Sequence, residues 1–232
     1  MIAGAGSQQR IYFSPHNAAN IGVLRHMETN PTFYTIDISS FVGVQASARF
    51  GGGVLAPNGC IYYIPRNGYV GVGVLDTTWQ QVGNAGYGER FSMIPVDMFG
   101  TDSVGKYYGG VLAPNGKIYC VPETTNTVGV INTDDNTFYA VDISGTETGT
   151  SKYREGALGP NGIIYFVPYN SDNLGMFDPS TETFSVLSVA SIIDTDNKYG
   201  GASFASNGAL YMAPWDGTKI LKVIHEKLET QR

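Results

Sequence analysis

At 232 residues, with 42% hydrophobic and 15% charged side chains, the chain has a globular composition and room for one large all-β domain or two small ones. A net charge of −6 argues against nucleic acid as a partner, because phosphate binding needs a strong basic field. No apolar run reaches the ~18 residues of a membrane-spanning helix, and MIAGAGSQQ is too short and polar for a signal peptide, so no membrane partner is expected.

Taken in chain order, one motif recurs. A worn copy ends in RIYFSP at Pro15. Fuller copies read RFGGGVLAPNGCIYYIP from Arg49, KYYGGVLAPNGKIYCVP from Lys106, KYREGALGPNGIIYFVP from Lys152 and KYGGASFASNGALYMAP from Lys198. Equivalent tyrosines (Tyr12, Tyr62, Tyr119, Tyr165, Tyr211) and prolines (Pro15, Pro65, Pro122, Pro168, Pro214) mark the period. Each unit holds four strand-like segments, which in the third are GGVLAP, KIYCVP, TVGVIN and TFYAVDIS. Four strands in about 46 residues is the size of a propeller blade, and the 3.6-residue apolar period of a helical solenoid is missing.

The second strand of each unit is apolar or aromatic on both sides, Ile118 and Cys120 opposite Tyr119 and Val121, as in a strand sandwiched between neighbours. Glycines such as Gly52 and Gly109 suit close backbone approach near a central axis, and each proline ends a ladder to which it brings no N–H. Asn58-Gly59, Asn115-Gly116, Asn161-Gly162 and Asn207-Gly208 predict two-residue hairpin turns with positive φ. Cys60 and Cys120 lie three positions out of register, so both read as free packing residues.

The pattern G-x-L-x-P-N-G-x-I-Y-x-x-P, followed by V-x-V-I-[DN] and T-F, resembles NHL-type propeller repeats. The resemblance covers nearly the whole chain. It implies an all-β fold, a single β-propeller domain over 1–232 with units near 1–45, 46–102, 103–148, 149–194 and 195–232. Propellers of this kind host binding modules, lyases, lactonases and structural parts alike. Each blade is expected to hold four antiparallel strands, the last only three, because ILKVIHEKLETQR stops where TFYAVD should follow. Two readings stand: a closed five-bladed ring, favoured because an open array leaves edges exposed, or a fragment of a longer propeller.

In a propeller the loops joining strands two to three and four to one share a face. The residue after each repeated proline changes from unit to unit: His16, Arg66, Glu123, Tyr169 and Trp215, followed by Asn17, Asn67, Thr124, Asn170 and Asp216. Aromatics and Arg dominate recognition hot spots, so this rim, with His16, Arg66, Glu123, Tyr169, Trp215, Asn17, Asn67 and Asn170, is the expected ligand surface. The basic residues Arg49, Lys106, Lys152 and Lys198, each before an aromatic, are expected at the channel mouth, either as an anion-holding ring or as one sugar site per blade. The plainer reading packs the aromatics between blades and pairs the cations with Asp102, Glu155 or Asp196.

Catalytic signals are thin. His16, His26 and His225 form no HExxH or CxxC spacing, no G-x-S-x-G elbow occurs, and GNAGYG (Gly83 to Gly88) reads as part of an insertion near Trp79 to Arg90. NTDDN (Asn132 to Asn136) and DTDN (Asp194 to Asn197) read as Asx turns, not Ca²⁺ loops. No metal, catalytic residue or cofactor is expected. The chain therefore reads as a non-catalytic propeller that binds a protein or a carbohydrate through the post-proline face. The alternatives are a lactonase- or lyase-like enzyme at the channel mouth, drawing on Glu123, Glu155 and Asn170, or a structural component of a larger assembly.

Overall fold

The computed structural model describes residues 2–3, 10–25, 30–42, 48–66, 71–78, 90–96, 105–193, 195–224 and 227–231. Within them the strands form five antiparallel sheets of four, taken consecutively along the chain. Sheet 1 holds β1 (Ile2–Ala3), β2 (Arg10–Phe13), β3 (Asn20–Arg25) and β4 (Thr32–Asp37), followed by one helical turn, α1 (Ser39–Val42). Sheet 2 holds β5 (Phe50–Leu55), β6 (Cys60–Pro65), β7 (Val72–Asp76) and β8 (Arg90–Ile94). Sheet 3 comprises β9 (Tyr107–Leu112), β10 (Lys117–Pro122), β11 (Thr127–Asn132) and β12 (Thr137–Asp142), and sheet 4 comprises β13 (Tyr153–Leu158), β14 (Ile164–Pro168), β15 (Asn173–Asp178) and β16 (Thr183–Ser188). Sheet 5 holds β17 (Tyr199–Phe204), β18 (Leu210–Pro214), β19 (Ile220–Ile224) and β20 (Lys227–Gln231). This is a β-propeller of five blades. Among the described residues no helix is long and apolar enough to cross a membrane.

The fifth blade departs from expectation. It carries a fourth strand, β20, paired with β19 from Ile220↔Gln231 to Ile224↔Lys227. KLETQ lacks the T-F-Y pattern of the other outer strands, but strand pairing is made by backbone groups and does not require that pattern.

The second strands are covered on both faces, and the packing follows the alternation. Ile118 and Cys120 join the cluster between sheets 2 and 3, while Tyr119 and Val121 join the cluster between sheets 3 and 4. The same division places Tyr12 against sheet 2, and Leu210 and Met212 against sheet 4. Outer strands such as β12 show mostly exposed and half-buried residues, since one face meets solvent.

The hairpin turn differs from the two-residue form. Gly59 N–H donates to the Ala56 carbonyl, and Gly116 N–H to that of Ala113, so the turn spans A-P-N-G. Pro57 and Pro114 hold φ near −65°, which suits the second position of a type I turn and forbids the mirror-image turn. Only the glycine takes positive φ, 80° at Gly59 and 78° at Gly116. The asparagine instead bridges: Asn115 Oδ1 accepts from Lys117 N–H at 3.2 Å, and its Nδ2 donates to the Tyr119 hydroxyl at 2.9 Å.

The inner strands β5, β9, β13 and β17 lie side by side around the axis. A Cβ on Gly52 would stand 3.5 Å from the Cα of Gly109, which in turn faces the Cα of Glu155. The four apolar clusters join sheets 1–2, 2–3, 3–4 and 4–5; among the described residues none joins sheet 5 to sheet 1. Sheet 1 presents Phe13 and Phe33, 48% and 63% exposed, on the face where other blades meet a neighbour. The outward face of sheet 5 carries Ser203, Ala213 and Lys222 at positions held by Val111, Val121 and Val130 in sheet 3.

Candidate functional site

A backbone belt positions the post-proline residues. The N–H of each basic residue donates to the carbonyl of the previous blade's post-proline residue: Arg49 to His16, Lys106 to Arg66, Lys152 to Glu123 and Lys198 to Tyr169. Each post-proline N–H then donates to its own blade's basic residue: Arg66 to Arg49, Glu123 to Lys106, Tyr169 to Lys152 and Trp215 to Lys198. These bonds, 2.7–3.0 Å long, run without a gap from His16 to Trp215 across all five blades. Main-chain groups carry the belt, so side chains at the post-proline positions can differ without disturbing it.

The basic residues do not open onto the channel mouth as a ring. Arg49, Lys106, Lys152 and Lys198 are 3%, 3%, 1% and 2% exposed. Lys152 Nζ donates to the carbonyls of Thr125 (2.8 Å) and Gly149 (2.9 Å) and to Asn126 Oδ1 (3.2 Å). Lys198 Nζ reaches Asp172 Oδ1 at 3.1 Å and the Asn170 carbonyl, and an Arg49 guanidinium N–H donates to the Asn17 carbonyl. Arg49, Lys152 and Lys198 thus each tie the preceding blade's loop, because buried carbonyls need donors. Burial lowers the Lys106 ammonium and pushes that of Lys152 down to about 8. The partnering aromatics Phe50, Tyr107, Tyr153 and Tyr199 are buried between blades.

The post-proline side chains do converge. His16 Nδ1 donates to the Phe50 carbonyl (3.2 Å), leaving Nε2 to accept from Arg66 at 3.3 Å. Arg66 meets Glu123 in a bidentate pair, both bonds 2.8 Å, with Glu123 only 2% exposed. Glu123 also faces Arg154 at 3.8 Å. The Arg154 guanidinium lies 3.6 Å from the Tyr169 ring centre, 5.2 Å from Tyr108 and 5.9 Å from Trp215. Tyr169 and Trp215 meet edge to face at 6.3 Å. Trp215 is 61% exposed. The post-proline side chains and Arg154 therefore form one run of contacts across the five blades, with Glu123 and Tyr169 buried and His16 and Trp215 exposed.

The residues one step further along serve the loops instead. Asn17 Oδ1 accepts from Ala48 N–H and Asn170 Oδ1 from Asn197 N–H, both just ahead of a buried basic residue. Asn67 lies outside the described residues, as do His26, His225, Asp102 and nearly all of the Trp79–Arg90 insertion. NTDDN makes the expected Asx contacts, Asp134 N–H to Asn132 Oδ1 and Thr137 N–H to Asp135 Oδ1. Among the described residues no group of three His, Cys, Asp or Glu converges. A cleft of about 370 Å³ between sheets 4 and 5 opens at the Asn161 and Asn207 turns, on the other end of the blades.

Two members were missed from the sequence, Tyr108 and Arg154, and Glu155 was expected only as a channel-mouth candidate for catalysis or as a partner for the basic residues. The signal was there. The position after the basic-aromatic pair reads Gly51, Tyr108, Arg154, Gly200, and the next reads Gly52, Gly109, Glu155, Gly201. Glu155 adopts φ 60°, a left-handed backbone that glycine takes readily, where Gly109 has φ 85°. Its carboxylate lies 3.5 Å from where a Gly201 side chain would begin. Glu155 is exposed, yet the protein packed about it partly desolvates the carboxyl and raises it above its ordinary value. Among the described residues it has no hydrogen-bond or ion-pair partner. Trp215 packs over Gly200, where an added Cβ would stand 2.6 Å from the indole.

No protein-family model matches the chain, and no curated protein sequence does. Solved structures do. A streptogramin B lyase is similar with a TM-score of 0.71 at 17% identity, over 99% of this chain and 67% of that one. A catalytically inactive virginiamycin B lyase from Staphylococcus aureus with quinupristin gives 0.71 at 15%, over 99% and 68%. Nidogen, from a nidogen/laminin complex, gives 0.58 at 14%, over 95% and 76%. The chain spans about two thirds of the lyases it resembles, and at such identities the likeness establishes a β-propeller fold.

Proposed function

We propose that this chain is a non-catalytic binding propeller, built of NHL-type repeats, that takes a protein or carbohydrate partner on the face carrying the post-proline loops. The observation that carries the reading is the unbroken run from His16 to Trp215, in which an exposed Trp stands beside a Tyr and an Arg. Such groups supply most of the energy of recognition when a partner desolvates them. A pull-down and a glycan array comparing the wild-type chain with a Tyr169→Ala/Trp215→Ala double variant test it. Loss of the captured partner supports the reading; unchanged capture removes the face from consideration.

Catalysis at the channel mouth is the second reading, and one observation favours it: the strained Glu155, which has no hydrogen-bond or ion-pair partner among the described residues. The other two candidates are engaged, Glu123 by Arg66 and Asn170 by Asn197. Since a lyase with quinupristin is among the similar folds, chromatography of quinupristin incubated with the chain separates the readings. Turnover abolished in Glu155→Gln would carry the enzyme; unchanged quinupristin leaves the binding module.

A further inference from the structure

We propose that the corner formed by Trp215, Arg154 and Glu155 at the channel mouth holds an uncharged sugar ring, with the indole against the ring's apolar face and the Glu155 carboxylate accepting its hydroxyls. This rests on the binding-face reading above and names its ligand class. Gly200 and Gly201 are consecutive and lie between the two groups: the indole covers the first and the carboxylate borders the second. Side chains at the equivalent positions of sheet 3 and sheet 4, Tyr108 and Arg154, would fill that space; glycines leave it free in the fifth blade, as Gly51 and Gly52 do in the second, and the fifth alone of these two carries a Trp after its proline.

The charges point to a neutral ligand. Arg66 is committed to Glu123 in a bidentate pair, and Arg154 is held over Tyr169 while facing the same carboxylate. Among the described residues the charge at the corner without an ion-pair partner is Glu155, which repels anions and accepts hydrogen bonds from hydroxyls. An exposed indole flanked by a hydrogen-bonding carboxylate is apolar on one side and polar on the other, as a pyranose ring is. The left-handed backbone at Glu155 fits the same role. A costly conformation at a position that glycine fills in three other blades is the kind of strain kept at binding sites. The raised carboxyl adds that binding should weaken at mildly acidic pH, as the acceptor is protonated.

The test is an array of neutral and uronic-acid oligosaccharides, with titration of the best hit into wild type, Trp215→Ala, Glu155→Gln and Glu155→Gly. Glu155→Gly restores the residue of the sister blades, so it keeps the fold, which a thermal melt checks. A neutral hit is expected, weakened about tenfold or more in Trp215→Ala and Glu155→Gly and less in Glu155→Gln. Preference for uronic acids, or affinity indifferent to Glu155→Gly, overturns the proposal. An empty array with a protein captured and lost in the Tyr169→Ala/Trp215→Ala variant overturns the sugar while the binding face stands. An empty array with capture unaffected by that variant overturns both.

Discussion

Lys152 and Glu155 stand three residues apart and illustrate two uses of a charge. Lys152 repeats in the third and fifth blades as Lys106 and Lys198; its own ammonium closes a loop, and its surroundings push it down to about 8 against an ordinary 10.5. Between those values the unfolded chain keeps the proton and the folded chain has released it. Stability must therefore rise with pH across that window, a gain that Lys152→Met lacks. Urea unfolding at pH 7 and pH 9.5 should show wild type gaining about 1 kcal/mol relative to Lys152→Met, solvent screening allowed for. Glu155 does not repeat. Glu155→Gly relieves the left-handed backbone, and urea unfolding should show it more stable than wild type by about 1 kcal/mol. Breaking the Arg66–Glu123 pair is the opposite case: Glu123→Ala leaves a half-buried guanidinium without its acceptor and should cost about 3 kcal/mol by the same measurement.

At the scale of the element, the A-P-N-G hairpin shows how far a motif can be read. Asn-Gly announced a tight turn, and the prolines before it decided which one. Gly116→Ala tests the backbone alone, because an added Cβ would meet nothing nearer than Thr133 Oγ1 at 3.9 Å. With φ at 78°, that substitution should lower stability by about 1–2 kcal/mol in chemical denaturation, and an unchanged midpoint would refute the assignment. The buried basic residues were legible as repeats but not as buried. A cation before an aromatic suggests a surface, and only the loop folded over it turns the cation inward toward carbonyls.

Across the whole molecule, position in the array outweighs residue type. Phe13 and Phe166 occupy equivalent places in β2 and β14, yet Phe166 is fully buried between sheets 3 and 4 whereas Phe13 is 48% exposed. Phe166→Ala should cost about 3–5 kcal/mol and Phe13→Ala about 1 or less, measured by thermal or urea unfolding. Equal losses would mean that a further surface covers Phe13. The chain's own letters determined the number of blades, their order and the face on which unlike residues gather, because each blade is a local hairpin structure whose apolar alternation and turn residues lie close together in sequence. Tertiary structure alone decided which charges are buried, that Arg154 stacks on Tyr169 from the inner strand of the same blade, and that Glu155 has no partner among the described residues. Those outcomes depend on contacts between residues far enough apart in the chain that no local pattern encodes the distance between them.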